Sequence, residues 1–321
     1  MPFTDLPLDL LREYRPEVAE PAGFDAFWER TLAESRALGE EAELRPATTP
    51  VTVFRIDDLT FPGFGGEPVK AWVTRPRDAE GPLPVVVEYV GYGGGRGLAG
   101  ERTHWAAAGY VHVLMDTRGQ GSAWGSGGDT PDPHGSGPAA PGFMSKGLHD
   151  PEEYYYRRVF TDGVRLVDAV KTLEGVDPTR IAVTGGSQGG GISIAVAGLV
   201  PDLVGVMPDV PFLCHFRRAV EATPEAPFTE LARYLSVHRE AEAAVFDTLS
   251  YFDGVNFARR ATAPALFSVA LMDPVVLPST VYAAFNHYAA EASMEVYPYN
   301  GHEGGQMHQW VKQAEWLTAR G

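Results

Sequence analysis

Gly185-Gly186-Ser187-Gln188-Gly189 fits the pattern G-x-S-x-G, and it stands between an apolar strand-like run, Arg180–Thr184, and a helix predicted over Gln188–Val200. That context suits a nucleophilic serine lifted above a sheet edge on a sharp, strained turn. Residues two before and two after such a serine crowd each other, and both are glycine here. A serine hydroxyl is a weak nucleophile at neutral pH. It needs a histidine base, and the histidine needs an acid to fix its tautomer. The chain order serine, acid, histidine points to Asp273, at the end of the run Ala265–Met272, and to His302, in the loop Asn300–Gly305. Asp209, Asp247 and Asp253 are the other acids weighed, and a turn aspartate before Pro274 is the plainer role for Asp273. His215, His238, His287 and His308 fall in helical or inserted sequence, where an ordinary surface or core histidine is the default. An oxyanion would need two backbone N–H donors. Gln188, at a helix N-terminus with unpaired donors, supplies one. Tyr92, in the glycine-rich loop Val90–Gly95, supplies the other, although a flexible loop is the blander reading.

Two further patterns compete for these residues. Gly95-Arg96-Gly97-Leu98-Ala99-Gly100 matches G-x-G-x-x-G, with Asp116 closing the next strand, as in dinucleotide sites. The match begins too far past its strand, and the helix after it is short, so no cofactor is expected. His302-Glu303 is followed by His308 rather than by a histidine at the i+4 spacing of a zinc helix, so no metal is expected either. Within hydrolases the alternative is a broad carboxylesterase or a peptidase on the same triad, and a non-catalytic binding protein on a hydrolase fold stays as the alternative from another class. The complete serine–acid–histidine set argues against it.

Strands alternating with helices must position these groups. Strands are expected at Val51–Phe61, Pro68–Arg75, Pro84–Val90, Tyr110–Met115, Arg180–Thr184, Val204–Pro208, Ala265–Met272 and Met294–Tyr297. Helices are expected at 23–38, 101–109, Pro151–Glu174, Gln188–Val200 and Pro278–Glu291. In the first, Phe24, Phe27, Trp28, Thr31, Leu32 and Leu38 recur at helical spacing. The alternation implies parallel pairing and a three-layer α/β sandwich. Residues 211–262 break the rhythm with aromatic-rich helical sequence, as a cap over the carboxyl edge of a sheet would. The chain reads as one domain, 1–321, with 1–45 as an N-terminal extension and 211–262 as the cap insertion.

Composition narrows the partners. The 321 residues carry 26 basic against 42 acidic side chains, a formal charge of −16. Such a chain repels phosphate backbones and anionic membranes, so neither nucleic acid nor a membrane is an expected partner. Cys214 is alone, so no intrachain disulfide forms, and its apolar surroundings suit a buried small hydrophobe. No apolar run approaches the ~18 residues of a membrane span. The first residues lack a signal peptide's basic head and apolar centre, so a cytoplasmic location is expected.

The segments GYGGGRG (91–97), DTRGQG (116–121), RIAVTGGSQGGG (180–191), PFLCHFRRA (211–219), TLSYFDGVNFA (248–258), LMDPVVLPST (271–280) and NGHEGG (300–305) together resemble carbohydrate esterase family seven. Its members are the acetyl xylan esterases and cephalosporin C deacetylases. The resemblance implies an α/β-hydrolase that removes acetyl groups from small acetylated sugars and from cephalosporin C. It puts the nucleophile on Ser187, the acid on Asp273, the base on His302 and the oxyanion donors on Tyr92 and Gln188. Tyr92, Phe212 and Val275 are then the residues expected against the substrate. It also implies a hexamer whose sites open onto an internal cavity that admits oligosaccharides but not polymer. Two departures stand near the acyl pocket: Val90 where the family has histidine, and Val276-Leu277-Pro278 where it has Cys-Pro-Pro. Arg118 is expected to brace its loop rather than touch substrate.

Overall fold

The structure is a computed structural model that describes residues 3–135 and 137–320. Two helices, α1 (Leu8–Glu13) and α2 (Phe24–Arg36), precede the strands β1 (Glu43–Pro46), β2 (Phe54–Pro62) and β3 (Pro68–Pro76). Next come β4 (Leu83–Tyr89), the one-turn helix α3 (His104–Ala107) and β5 (Val111–Met115). A long loop leads to α4 (Tyr155–Val170), β6 (Val176–Gly186), α5 (Gln188–Leu199) and β7 (Gly205–Asp209). The inserted segment carries α6 (Phe216–Ala222), α7 (Phe228–Val237), α8 (Glu242–Ser250) and α9 (Gly254–Ala258). Then follow β8 (Ala265–Ala270), α10 (Pro278–His287), β9 (Ala292–Tyr297) and α11 (Gln306–Thr318).

One nine-stranded sheet runs through these elements in the order β1-β2-β3-β5-β4-β6-β7-β8-β9. The ladders from β1 through β3 to β5 are antiparallel, and those from β5 to β9 are parallel. The continuous apolar run at β4 reflects burial on both faces. Val85, Val87 and Tyr89 face the layer of α4 and α5, while Val86 faces Trp105 of α3 and Leu317 of α11. β6 divides likewise, with Ile181 and Val183 on the first face and Ala182 on the second.

Several boundaries differ from the sequence reading. The helix expected over 101–109 is a single turn. The one expected from Pro151 starts at Tyr155, because the Asp150 carboxylate accepts the Glu152 N–H at 2.9 Å and closes a turn first. Glu152 therefore pairs with Arg157 at 2.7 Å instead of opening the helix. α2 ends at Arg36, so Leu38 falls beyond the apolar stripe and is exposed. β1, α1 and α11 were not anticipated: the first two are short, and α11 is amphipathic only through widely spaced tryptophan and leucine residues.

The inserted segment does more than cover an edge. α9 lies in the helical layer against α5, where Gly198 lets the Phe257 backbone approach closely. Only Ala226 and Pro227, before α7, reach the cavity described below. The extension packs on the same insertion: Phe24 and Trp28 of α2 meet Phe257 edge-on at 5.1 and 5.4 Å. Cys214 is buried. None of the helices among the described residues is long and apolar enough to cross a membrane.

Candidate active site

The turn from β6 into α5 sets Ser187 at φ 56° and ψ −117°, a conformation that L-residues rarely adopt. Three backbone bonds hold it there. Ser187 N–H donates to Asp209 O at 2.9 Å, and Ser187 O accepts from Gly191 N–H at 3.0 Å and Phe212 N–H at 2.9 Å. Sterics fix the glycine at 189: a methyl group there would overlap the Tyr89 carbonyl oxygen.

The structure brings Asp273, His302 and Ser187 into one line. His302 Nε2 lies 2.9 Å from Ser187 Oγ, and His302 Nδ1 lies 2.7 Å from Asp273 Oδ2. Asp273 is fully buried just past the end of β8, and its Oδ1 accepts the N–H groups of Val275 (2.8 Å) and Val276 (2.9 Å). A carboxylate so bonded is fixed in place, and it orients the imidazole through Nδ1. Nε2 is then the acceptor that faces the serine hydroxyl.

The loop after β4 and the start of α5 are tied together by Gln120, from the Arg-Gly-Gln-Gly segment. Its Oε1 accepts Gly93 N–H at 2.7 Å, and its Nε2 donates to Gln188 Oε1 at 2.8 Å and Tyr155 Oη at 3.0 Å. Gln188 Nε2 donates in turn to Val90 O at 3.1 Å. Tyr92 and Gln188, the two residues expected to offer backbone donors, therefore stand on segments locked to each other. Tyr92 is pinned from both ends. Its carbonyl accepts Trp124 Nε1–H at 2.7 Å, and its phenol donates to Glu230 of α7 at 2.7 Å while accepting Phe143 N–H at 2.6 Å. Burial, and then the Glu230 charge, push the Tyr92 phenol far above the usual tyrosine range.

A cavity of about 870 Å³ opens over Ser187 and His302. Tyr92 and Val275 line it, as expected. Phe212 does not. Its ring is fully buried against Phe228, 4.4 Å between centroids, and stands behind Tyr92 at 6.2 Å. The expectation of a substrate contact there is corrected: Phe212 serves the site through its backbone N–H and by backing Tyr92. Val90 and Val276, two of the departures noted above, are buried and absent from the cavity wall. The competing glycine pattern has other uses. Arg96 lies over Trp72 at 3.9 Å and pairs with Asp58 at 2.7 Å, and Asp116 accepts Arg96 N–H at 3.0 Å. Arg118 is a buried brace, bonded to Asp162 at 2.6 and 2.8 Å and to Glu67 at 2.6 Å.

Trp124, Gln120 and Glu230 were not singled out from sequence. Gln120 lies inside DTRGQG (116–121), but nothing in the residue order tells which loops a buried amide joins.

A mostly parallel three-layer sandwich with a serine on the strained turn after its central strand is an α/β-hydrolase. The family model of acetyl xylan esterase (AXE1) matches residues 1–320. The chain belongs to this family of carboxylic ester hydrolases. It is 37% identical to the acetyl xylan esterase from Paenibacillus sp. R4, with a TM-score of 0.92 over 98% of this chain and 99% of that one. It is 33% identical to acetyl xylan esterase 1 from Thermoanaerobacterium sp. JW/SL YS485, with a TM-score of 0.90 over the same shares. It is also 28% identical over 307 residues to the acetyl esterase Axe7A of Xylanibacter ruminicola, covering 90% of this chain. The match spans 65% of that curated relative's length.

Proposed function

We propose that the protein is a serine esterase that deacetylates small acetylated carbohydrates, such as xylo-oligosaccharides, and cephalosporin C-type acetyl esters through an acyl-enzyme. One observation carries this reading: the buried Asp273, His302 and Ser187 form a continuous hydrogen-bonded line at a cavity mouth, in a chain of acetyl xylan esterase kin.

Ser187 Oγ attacks the ester carbonyl carbon while His302 Nε2 takes its proton. The carbonyl oxygen gains charge and is met by the N–H groups of Tyr92 and Gln188. Asp273 stabilises the imidazolium that forms. Collapse expels the sugar oxygen, which His302 protonates. Water, deprotonated by His302, then attacks the acetyl-serine, and acetate leaves. The acetyl methyl sits on the apolar wall of Tyr92 and Val275. The whole works as one hydrolase domain, with residues 1–45 as its extension and 211–262 as its cap. A cytoplasmic location and a hexamer complete the reading.

The test is direct. Ser187→Ala should lower kcat on p-nitrophenyl acetate by orders of magnitude, and a fluorophosphonate probe should label Ser187 in the unmodified protein. Near-normal turnover by the variant would overturn the assignment. A panel of acetyl, propionyl and butyryl esters with acetylated xylo-oligosaccharides and cephalosporin C fixes the substrate class, and preference for longer acyl chains would indicate a broad carboxylesterase instead.

A further inference from the structure

The cavity has a second wall, on the opposite face of the sheet from Tyr92, and it differs in chemistry. On that face the strands begin apolar, with Val86, Ala182, Met207 and Leu266 packed beneath α3 and α11. Two residues further along each strand the same face turns polar: Glu88, Thr184, Asp209 and Ser268. Side chains two apart on a strand share a face, so this polar strip continues a buried surface where an apolar core would be expected. It exists because α3 is only one turn long. The helical layer stops short of the carboxyl edge, and the cavity runs into the gap as an arm lined by Glu88, Arg102, His104, Trp105 and Trp310.

The arm's polar groups are ordered and only partly occupied. Glu88 accepts from His112 Nε2–H at 2.8 Å on one oxygen and from Arg102 on the other. Each carboxylate oxygen keeps a second lone pair, and Arg102, about a quarter exposed, keeps donors beyond the one it gives to Glu88. His104 stands edge-on to Trp310 at 5.3 Å. Burial lowers its pKa, so the ring presents one donor and one acceptor. Trp310 Nε1 is buried and finds no partner among the described residues, whereas Asp209 lies beside the Ser268 hydroxyl and the Gln309 amide. Buried polar atoms are nearly always bonded, so Trp310 Nε1 marks a place made for a hydroxyl group. The paired Glu88 and Arg102 leave little net charge to attract an ion, and Trp105 and Trp310 offer apolar ring surface.

We propose that this arm is a subsite for the alcohol half of the ester, binding a neutral, hydroxyl-rich sugar ring while the acetyl group lies on the Tyr92 side. The subsite rests on the esterase reading above. It commits the leaving group to the α3–α11 face of the sheet and makes Arg102 and Trp310 determinants of sugar over simple-alcohol esters.

The experiment compares acetylated xylobiose with ethyl acetate, whose alcohol is too small to reach the arm. Arg102→Met and Trp310→Leu should each lower the ratio of kcat/KM for acetylated xylobiose over ethyl acetate by about tenfold, as expected for a lost bond to a charged group or a lost apolar face. Arg102→Lys should recover part of the loss. Unacetylated xylobiose should inhibit ethyl acetate hydrolysis competitively in the unmodified enzyme, and about tenfold more weakly in the variants. A ratio that moves less than twofold, or an unmodified enzyme that xylobiose does not inhibit, overturns the subsite. Titration of unmodified protein with xylobiose, followed by tryptophan fluorescence, keeps the question open to disproof should both variants misfold: a saturable change supports the arm, and none defeats it. An enzyme that hydrolyses neither ester, yet still binds xylobiose, would sink the esterase reading and spare the subsite.

Discussion

Gln120 joins the two segments that carry Tyr92 and Gln188 through a single side-chain amide. An oxyanion donor is worth most in the transition state, where charge has moved onto the oxygen. Losing one donor outright costs about 10²–10³ in kcat in a serine protease. Gln120 acts only through position, so Gln120→Ala should cost less, roughly tenfold to a hundredfold in kcat, with KM nearly unchanged. Steady-state kinetics on p-nitrophenyl acetate would check this, and a rise in KM at constant kcat would count against a positioning role. Legibility in the sequence follows the same line. Ser187 could be read because a sharp turn demands glycine at fixed offsets. The placement of Asp273 and His302 beside it could be read because each lies in the loop that follows a strand, in the required order. Gln120 and Glu230 could not, because a buried polar side chain selects partners across loops and leaves no period. Phe212 was misjudged for a related reason: an aromatic near a nucleophile looks the same in sequence whether its ring faces the cavity or the core.

At the scale of elements, β7 and α11 meet at Asp209. Its carboxylate accepts Gln313 Nε2–H at 2.8 Å, while its backbone carbonyl holds Ser187 N–H. Burial pushes the Asp209 carboxyl up to about 7 from an ordinary value of 3.8. The folded protein therefore keeps a proton there that the unfolded chain releases first. Stability from this group is complete below about pH 4 and is lost progressively as pH rises toward 7, then stays level. Asp209→Asn, whose side-chain oxygen can still accept from Gln313, has no proton to lose. Its melting temperature relative to the parent should thus rise between pH 4 and pH 7 and change little above. A constant difference across that range would show that Asp209 is ionised in the fold. The alternation of strands with helices was readable from apolar runs, whereas the length of α3 was not. Its end is marked by Gly109, left-handed at φ 93°, whose N–H donates to the Ala106 carbonyl at 3.1 Å, but its late start at His104 has no capping side chain to announce it.

Over the whole molecule, the beginning of the chain is fastened to its last third. Thr4 Oγ1–H donates to the carbonyl of Asp273 at 2.9 Å, from 269 residues away. Asp5 accepts from Arg218 at 2.8 Å and from Ser279 N–H at 2.6 Å, and Asn286 Nδ2–H donates to Leu11 O and Tyr14 O. Sequence showed residues 1–45 as an appendage because their partners lie so far along the chain. That distance has a consequence in time. Contacts between remote segments are formed late, after the intervening chain is ordered, and a growing chain offers its first residues long before their partners exist. Residues 4–14 must therefore wait until residues 218–286 have been made, and only then does the backbone of Asp273 gain its bond from Thr4. Nascent chains stalled before residue 278 should leave the peptide bonds around Leu11 and Tyr14 open to protease, and the finished chain should protect them. Equal protection in both would mean that the segment docks on something nearer. On this account esterase activity waits for residues 218–286 to be made and docked, so a ribosome that stops before them releases an inert chain rather than a partly active one.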